Sequence, residues 1–172
     1  MDVEKIKLIK EYYEQIIKFR KLDKFKNMNT GDFSEEMAKI FPKFSKNDKV
    51  IFDAIISGKD LQFFDLMFNK LKLIDDEYNK RGKEIDKIKN QVESLRSFIK
   101  LNDDMDKKML SEFISNNYKS FLKEYPIIYN RLMDKETQDL SIEQLFLDQI
   151  KHKYELQIGE ILAQQYIYPK VN

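Results

Sequence analysis

The chain has no cysteine in its 172 residues, and it carries only four glycines, three prolines and one histidine. Without cysteine it can form neither disulfide bonds nor thiolate metal sites, and its redox compartment cannot be inferred. So few glycines and prolines supply too few turn-forming residues for a many-stranded sheet. His152 alone cannot supply a two-histidine metal site, and its place between two lysines on a predicted helix is typical of a surface histidine.

Motifs for catalysis and for cofactor binding are also missing. Neither GxGxxG nor GxxxxGK[ST] occurs, and no spacing of serine, histidine and acid suggests a catalytic triad. Acidic side chains cluster at 75–77 and 103–106, but the second cluster is typical of a helix start. We therefore predict no catalytic residue, no cofactor and no metal site, and a protein that is not an enzyme.

No long apolar run is present, so no membrane span is predicted. The charged, amphipathic start, MDVEKIKLIKEYYEQ, has no apolar core, so no secretory signal is predicted either. With 31 basic and 30 acidic side chains the net charge is +1, unlike that of a strongly basic nucleic-acid binder. These patterns predict nothing further about where the protein is located.

Helical periodicity dominates the rest of the chain. It predicts an all-α protein, a helical bundle with one long central helix, and no strand alternation competes with it. The length suits a single helical domain over 1–172. Within it we expect short N-terminal helices over 1–58, the long helix over 60–100 and further helices over 103–168.

Capping and stop signals set the expected helix ends. The expected starts are, in chain order, Asp32 with Glu35, Ser45 with Asp48, Asp60, Asn102 or Asp103, Pro126, and Ser141 with Gln144. Gly58 suits a left-handed position just past a helix end, and Pro42 and Pro169 each forbid continuation of the helix before them. The expected apolar side of the helix over 103–123 comprises Met105, Met109, Leu110, Phe113, Ile114, Phe121 and Leu122.

The long helix keeps one apolar rhythm. With Phe64 at heptad position a, the a and d positions are Phe64, Met67, Leu71, Ile74, Tyr78, Arg81, Ile85, Ile88, Val92, Leu95 and Ile99. Ten of these eleven residues are apolar or aromatic, which is typical of a coiled-coil seam. The predicted interaction seam comprises Tyr78, Arg81, Ile85, Ile88, Val92, Leu95 and Ile99.

Arg81 and Gly82 interrupt this rhythm. A glycine after a helical run favours a helix end, after which the chain would turn back as a hairpin. Alternatively the helix continues, and the polar position sets register or partner choice at a cost in stability. The rhythm resumes at Ile85 without a slip, which favours the continuous helix.

Two kinds of partner could cover the narrow stripe after Tyr78. The first, which we favour, is the set of helices expected at 103–123 and 141–168 of the same chain. The second is another molecule, which would make the protein self-associate or bind a protein partner. Before residue 74 the helix is apolar nearly all round, which indicates burial in a globular body.

The stretch KFRKLDKFK, residues 18–26, is the most basic part of the chain. Five basic side chains against one acid give it a net charge of +4. The possible nucleic-acid contacts are Lys18, Arg20, Lys21, Lys24 and Lys26. Phenylalanines interleaved with them could stack on bases. The same pattern also fits an amphipathic helix end whose phenylalanines face the core, which we favour, or a contact with an acidic protein or membrane surface.

The C-terminal third carries a resemblance. The segments FLKEYPIIYNRLM and IGEILAQQYIYPKVN resemble those of small uncharacterised proteins of large DNA viruses. The matching positions are Tyr125, Pro126, Gly159, Glu160, Leu162, Tyr166 and Pro169. The resemblance implies a viral protein in the host cytoplasm or the virion, with a capsid-associated or infection-related role, and it implies no activity. The aromatic tail, Tyr166 to Pro169, is expected to dock on its own body or on a neighbour.

The function predicted from these patterns is non-enzymatic. We expect a helical protein-interaction or assembly protein, homo-oligomeric or bound to a viral assembly. The alternative is a nucleic-acid-associated protein that uses residues 18–26.

Overall fold

The computed structural model describes residues 2–59 and 61–167, with side chains described up to residue 165. Of these described residues 83% are helical, and none lies in a strand. The predicted all-α bundle with one long central helix is therefore confirmed.

Nine α-helices follow one another along the described chain. They are α1 (Val3–Lys21), α2 (Thr30–Ile40), α3 (Pro42–Asn47), α4 (Lys49–Ser57), α5 (Leu61–Leu101), α6 (Lys107–Asn117), α7 (Lys119–Glu124), α8 (Pro126–Met133) and α9 (Ile142–Leu162). A π-helical turn, Ala163–Ile167, follows α9.

The central helix α5 is continuous through Arg81 and Gly82, as the unbroken heptad rhythm predicts. Helical hydrogen bonding tolerates a glycine, whose cost is mainly the backbone entropy lost on folding. A Cβ added at Gly82 would meet no atom within 4 Å, so no close approach of another segment requires a glycine there. The hairpin alternative is therefore wrong.

Two expected helix starts are confirmed, the second of them in part. Pro126 is the first residue of α8, where its missing N–H costs nothing. Ser141 caps α9 by accepting a hydrogen bond from the Gln144 backbone N–H at 3.2 Å, while the Gln144 amide turns to Asp148 instead of completing the box. Asp48 precedes α4, but its carboxylate pairs with the Lys5 ammonium at 2.8 Å and makes no cap hydrogen bond.

Three other starts are wrong. Asn29, not Asp32, caps α2 by accepting a hydrogen bond from the Asp32 backbone N–H at 2.8 Å. Ser45 lies inside α3, which opens at Pro42. Turns occupy 102–105, so α6 begins after Asp106, whose carboxylate accepts from the Lys108 backbone N–H at 2.7 Å. For α2 and α6 a short polar side chain close by in sequence took the role assigned to its neighbour, whereas α3 begins at a proline and has no side-chain cap.

Gly58 adopts the expected left-handed conformation past the end of α4, with φ of 68°. The expected cap at Asp60 and the stop at Pro169 lie outside the described residues. The same is true of the predicted docking of Tyr166, Ile167, Tyr168 and Pro169, because their side chains are not described.

The described residues form two compact units. Unit 1 comprises those within 1–73 and 154–167, and unit 2 comprises 74–153. The boundary falls inside α5 and inside α9, so each long helix contributes residues to both units. The single domain predicted from the chain length stays a prediction.

Each unit has its own apolar core. In unit 1, aromatic rings from α1 to α5 interlock: Tyr12 stacks on Phe44 at 4.6 Å between centroids, and Tyr13 stacks on Phe64 at 5.6 Å. The expected burial of the apolar first part of α5 is confirmed for Phe64, Met67 and Phe68, but it is wrong for Leu66, which is 46% exposed. The buried side chains of unit 2 include Ile74, Ile88, Val92, Leu95, Ile99, Leu110, Ile114, Phe121, Tyr125, Ile128, Leu132, Leu145, Phe146 and Ile150.

Glycine substitutions test the helical backbone assigned to Gly82 and the left-handed backbone assigned to Gly58. Gly82→Ala should raise the free energy of unfolding by about 0.5–1 kcal/mol, because alanine loses less backbone entropy in a helix and space is free. Gly58→Ala should lower it by roughly 1 kcal/mol, because a Cβ is strained at positive φ. Urea denaturation measures both. Gly159→Ala is the control, because Gly159 also lies in a helix with free space around it, and it should raise the free energy of unfolding by a similar amount. A loss of stability in Gly82→Ala would contradict a continuous α5.

Candidate functional site

The later part of the predicted seam is covered within the chain. Ile88, Val92, Leu95 and Ile99 have at most 5% of their surface exposed. Neighbouring α5 side chains reach other segments of unit 2, since Arg96 donates from Nη2 to the Leu140 carbonyl at 2.8 Å. Of the two partners considered for the seam, the structure therefore favours helices of the same chain.

Tyr78, Arg81 and Ile85 are only partly buried, and Arg81 is the centre of a polar network. Its Nε and Nη2 donate to the two carboxylate oxygens of Glu84, each at 2.9 Å, in a bidentate pair. Its Nη1 donates to Glu77 at 3.3 Å, and its guanidinium lies over the Phe146 ring at 5.3 Å from the centroid. Arg81 thus ties one turn of α5 to α9 within unit 2.

Tyr125 extends this network. Its hydroxyl donates to Glu84 Oε2 at 3.0 Å. Burial, and then the hydrogen bond to Glu84, raise the pKa of Tyr125 to about 12. The hydrogen bond from Arg81 is the main cause that lowers the pKa of Glu84, with a further contribution from Tyr125. Lys153 lies 3.5 Å from Glu77 on the other side. Arg81, the polar residue in the heptad pattern, therefore has its partners inside unit 2. The sequence pattern alone did not reveal these partners.

The basic stretch 18–26 is divided between interior and surface. Arg20 donates to the carbonyls of Phe25 at 3.1 Å and Met28 at 2.9 Å, and its guanidinium lies 4.5 Å from the centroid of the Phe33 ring. Phe25 is buried and contacts Phe19 and Phe33 edge-on. These residues hold the turn after α1 in place, so neither Arg20 nor Phe25 is free to contact a base.

The four lysines of this stretch are exposed. They are Lys18, Lys21, Lys24 and Lys26. Lys26 pairs with Asp23 at 3.0 Å, and the Lys24 ammonium lies 5.3 Å from the Phe25 centroid. Beside them lies a groove of about 390 Å³, whose described lining is Gln15, Lys18, Phe19 and Leu22. Sequence reasoning found the basic stretch but not the groove.

The largest exposed apolar groups of unit 2 lie at the end of α5 and on α6. Leu101 is 82% exposed, Met109 62% and Phe113 45%. Phe113 stacks on Phe98 at 4.7 Å between centroids, Leu101 lies one turn after Phe98, and Met109 lies one turn before Phe113. We call Leu101, Met109 and Phe113 the α6 patch. Of the residues expected on the apolar side of the helix over 103–123, Leu110, Ile114 and Phe121 are buried, whereas Met109 and Phe113 are exposed, so the prediction is wrong for these two.

The remaining polar clusters have ordinary surface roles. His152 is partly exposed on α9. Of the acidic cluster at 103–106, Asp103 pairs with Lys135 at 3.5 Å and Asp106 caps α6. Among the described residues, no group of three acidic or histidine side chains is placed to hold a metal ion. None of the described helices has the length and apolar character needed to cross a membrane.

Comparison with known proteins gave no match to a family model, a curated protein or a solved structure. The resemblance to viral proteins stays a prediction.

The Arg81 network predicts the sign of a substitution. Arg81→Leu should lower the free energy of unfolding by about 1 kcal/mol at neutral pH, although a seam position would favour leucine. Because the pKa of Glu84 is lowered below 4.5 in the folded state, this contribution is fully present above pH 4.5 and is lost as the pH falls through the lowered value. Urea denaturation at stepped pH should show the gap between wild type and variant closing on acidification.

The matched control is Lys80→Leu, which changes an exposed lysine one position earlier on α5. Its effect should stay within about 0.5 kcal/mol at every pH. A rise in stability for Arg81→Leu would mean that the guanidinium contacts contribute less than leucine burial, and that Arg81 is a seam position after all.

Tyr125→Phe tests the other end of the network. The variant should lose about 1 kcal/mol near pH 8, because it loses the hydrogen bond to Glu84. The raised pKa means that the stability contributed by Tyr125 is complete below pH 10 and is lost as the pH rises through about 12. The difference from wild type, measured by urea denaturation, should therefore narrow in that alkaline range. A difference that widens there would contradict the assigned hydrogen bond.

Proposed function

We propose that the protein is a helical contact protein that self-associates through the α6 patch. The observation that carries this proposal is the exposure of Leu101, Met109 and Phe113. Phe113 stacks on Phe98, Leu101 lies one helical turn from Phe98, and Met109 lies one helical turn from Phe113. Grouped apolar side chains in water are unfavourable, and such patches commonly mark protein–protein contacts.

Charges beside the patch suit a second copy of the same chain. Asp103 and Asp104 lie in the turn before α6, and Lys107 and Lys108 lie in its first turn. A two-fold interface sets each surface against itself, so the acidic turn of one copy meets the basic turn of the other. Phenylalanine and methionine are also enriched at the centres of interfaces.

The predicted interaction seam is a weaker candidate for this contact. Four of its seven residues, Ile88, Val92, Leu95 and Ile99, are already buried in a single chain. A second molecule could reach them only by displacing helices of unit 2. An assembly role in a virus is a finer hypothesis within the same proposal, and its support is the C-terminal resemblance alone. The absence of enzymatic activity is likewise part of the proposal.

Nucleic-acid association is the second candidate. Its support is the exposure of Lys18, Lys21, Lys24 and Lys26, which could contact phosphates. Against it, Arg20 is engaged with two backbone carbonyls and Phe25 is buried, which leaves the partly buried Phe19 for the aromatic stacking that single-stranded binding uses.

Mass in solution tests self-association. Light scattering over a wide concentration range should give a mass of at least two chains for the wild type. Leu101→Lys combined with Met109→Lys should shift the protein to a monomer, because charged side chains cannot be buried in the contact without partners. Both residues are more than half exposed, so helix content should be unchanged by circular dichroism.

The matched control combines Val50→Lys with Leu156→Lys, which are 52% and 57% exposed and lie in unit 1. It should keep the wild-type mass. A wild type that stays monomeric at the highest concentration, or a patch variant that keeps the oligomer, would overturn the proposal.

A further inference from the structure

The end of α1 presents an apolar groove beside a basic surface. The lining that is described consists of Phe19, Leu22, the stem of Lys18 and Gln15. Its volume of about 390 Å³ lies at the small end of the range for binding sites, about 300–1,000 Å³, which is room for one or two large side chains.

The local backbone keeps this groove open. Leu22 is the residue that ends α1, and its extended conformation, φ −71° and ψ 146°, turns the chain away from the helix. No further helical turn can then cover Leu22, which stays 51% exposed. Phe19 contacts Phe25 and Phe41 edge-on at 5.9 and 6.1 Å, so its ring is fixed by the core while it also lines the groove. The apolar wall is therefore preformed.

The charge around the groove is positive. Lys18 lines it, Lys21 lies in the last turn of α1, and Lys24 follows in the turn after it. None of these three lysines forms an ion pair with a described residue, whereas Lys26 is paired with Asp23. The helix dipole accounts for basic residues in the last turn of α1, but Lys24 lies beyond that turn.

We propose that this groove binds an acidic, amphipathic segment of a partner protein. One large apolar side chain of the segment packs against Phe19 and Leu22, and flanking Asp or Glu side chains face Lys18 and Lys21. Apolar anchors with a charged surround are the usual arrangement by which a groove recognises a peptide. This surface lies in unit 1 and the α6 patch in unit 2, so the proposal does not depend on self-association.

Peptide fits these observations better than nucleic acid or membrane does. Arg20 gives two hydrogen bonds to backbone carbonyls and Phe25 is buried, so the Phe19 ring, held edge-on by Phe25 and Phe41, is the one phenylalanine of the stretch that a base could reach. Stable membrane attachment needs a broad apolar face or a second signal. Here Leu22 is the one exposed apolar residue of the described groove lining, since Phe19 is partly buried.

Selection from a random peptide library against the immobilised full-length chain tests the partner chemistry directly. Enriched peptides should combine at least one large apolar residue with several Asp or Glu residues. Fluorescence anisotropy with one enriched peptide should give a dissociation constant in the micromolar range, weakening severalfold as salt is raised, because exposed charges are screened.

Two variants locate the site. Lys18→Glu with Lys21→Glu should weaken binding about tenfold or more, since like charges then face each other. Leu22→Ser should weaken it about fivefold through lost apolar burial. The matched controls are Lys43→Glu with Lys46→Glu, and Leu8→Ser; Lys43 and Lys46 are exposed in unit 1 and Leu8 is 46% exposed there. The controls should bind like the wild type, and all variants should keep wild-type helix content.

The competing occupants are measured with the same proteins. Single- and double-stranded DNA oligonucleotides and vesicles containing phosphatidylserine are tested in parallel. Enrichment of peptides without acidic residues, or peptide binding that the groove variants leave unchanged, would overturn the proposal. So would DNA or vesicle binding that is tighter than peptide binding and is lost in the groove variants.

Discussion

Burial of the apolar stripe on α5 is the constraint on which the rest of the structure depends. A helix of 41 residues with apolar side chains at heptad spacing cannot stay solvated on that side. Its first part is enclosed by the aromatic core of unit 1, and its later part is covered by the other helices of unit 2. Because one chain supplies this cover, the two surfaces proposed for partners lie elsewhere, at the end of α1 and around α6 with the end of α5.

Arg81 shows how a polar residue can occupy a seam position without ending the helix. The guanidinium is satisfied by Glu84 and Glu77 on its own helix, and its face rests on Phe146. Tyr125 then joins the same carboxylate from another segment. A polar network of this kind fixes how segments pack against α5, because each group is costly to leave without its partner.

The two exposed surfaces have different local causes. Leu22 is exposed because α1 ends at Lys21 and the chain turns away. Met109 and Phe113 are exposed because they lie one position before Leu110 and Ile114, which are the residues that α6 buries. Helix ends are set by local hydrogen bonds of a few side chains, and small shifts there decide which apolar residues face water.

The sequence by itself determined the helical class, the continuous central helix and the left-handed Gly58, because helical periodicity and positive φ are local properties. It also identified Arg81 and the stretch 18–26 as exceptional. Only the tertiary structure decided what they do: Arg20 and Phe25 face inward, Arg81 has ion-pair partners, and Met109 and Phe113 face outward. The physical reason is that periodicity fixes which residues share a side of a helix, whereas packing against distant segments fixes which side is covered.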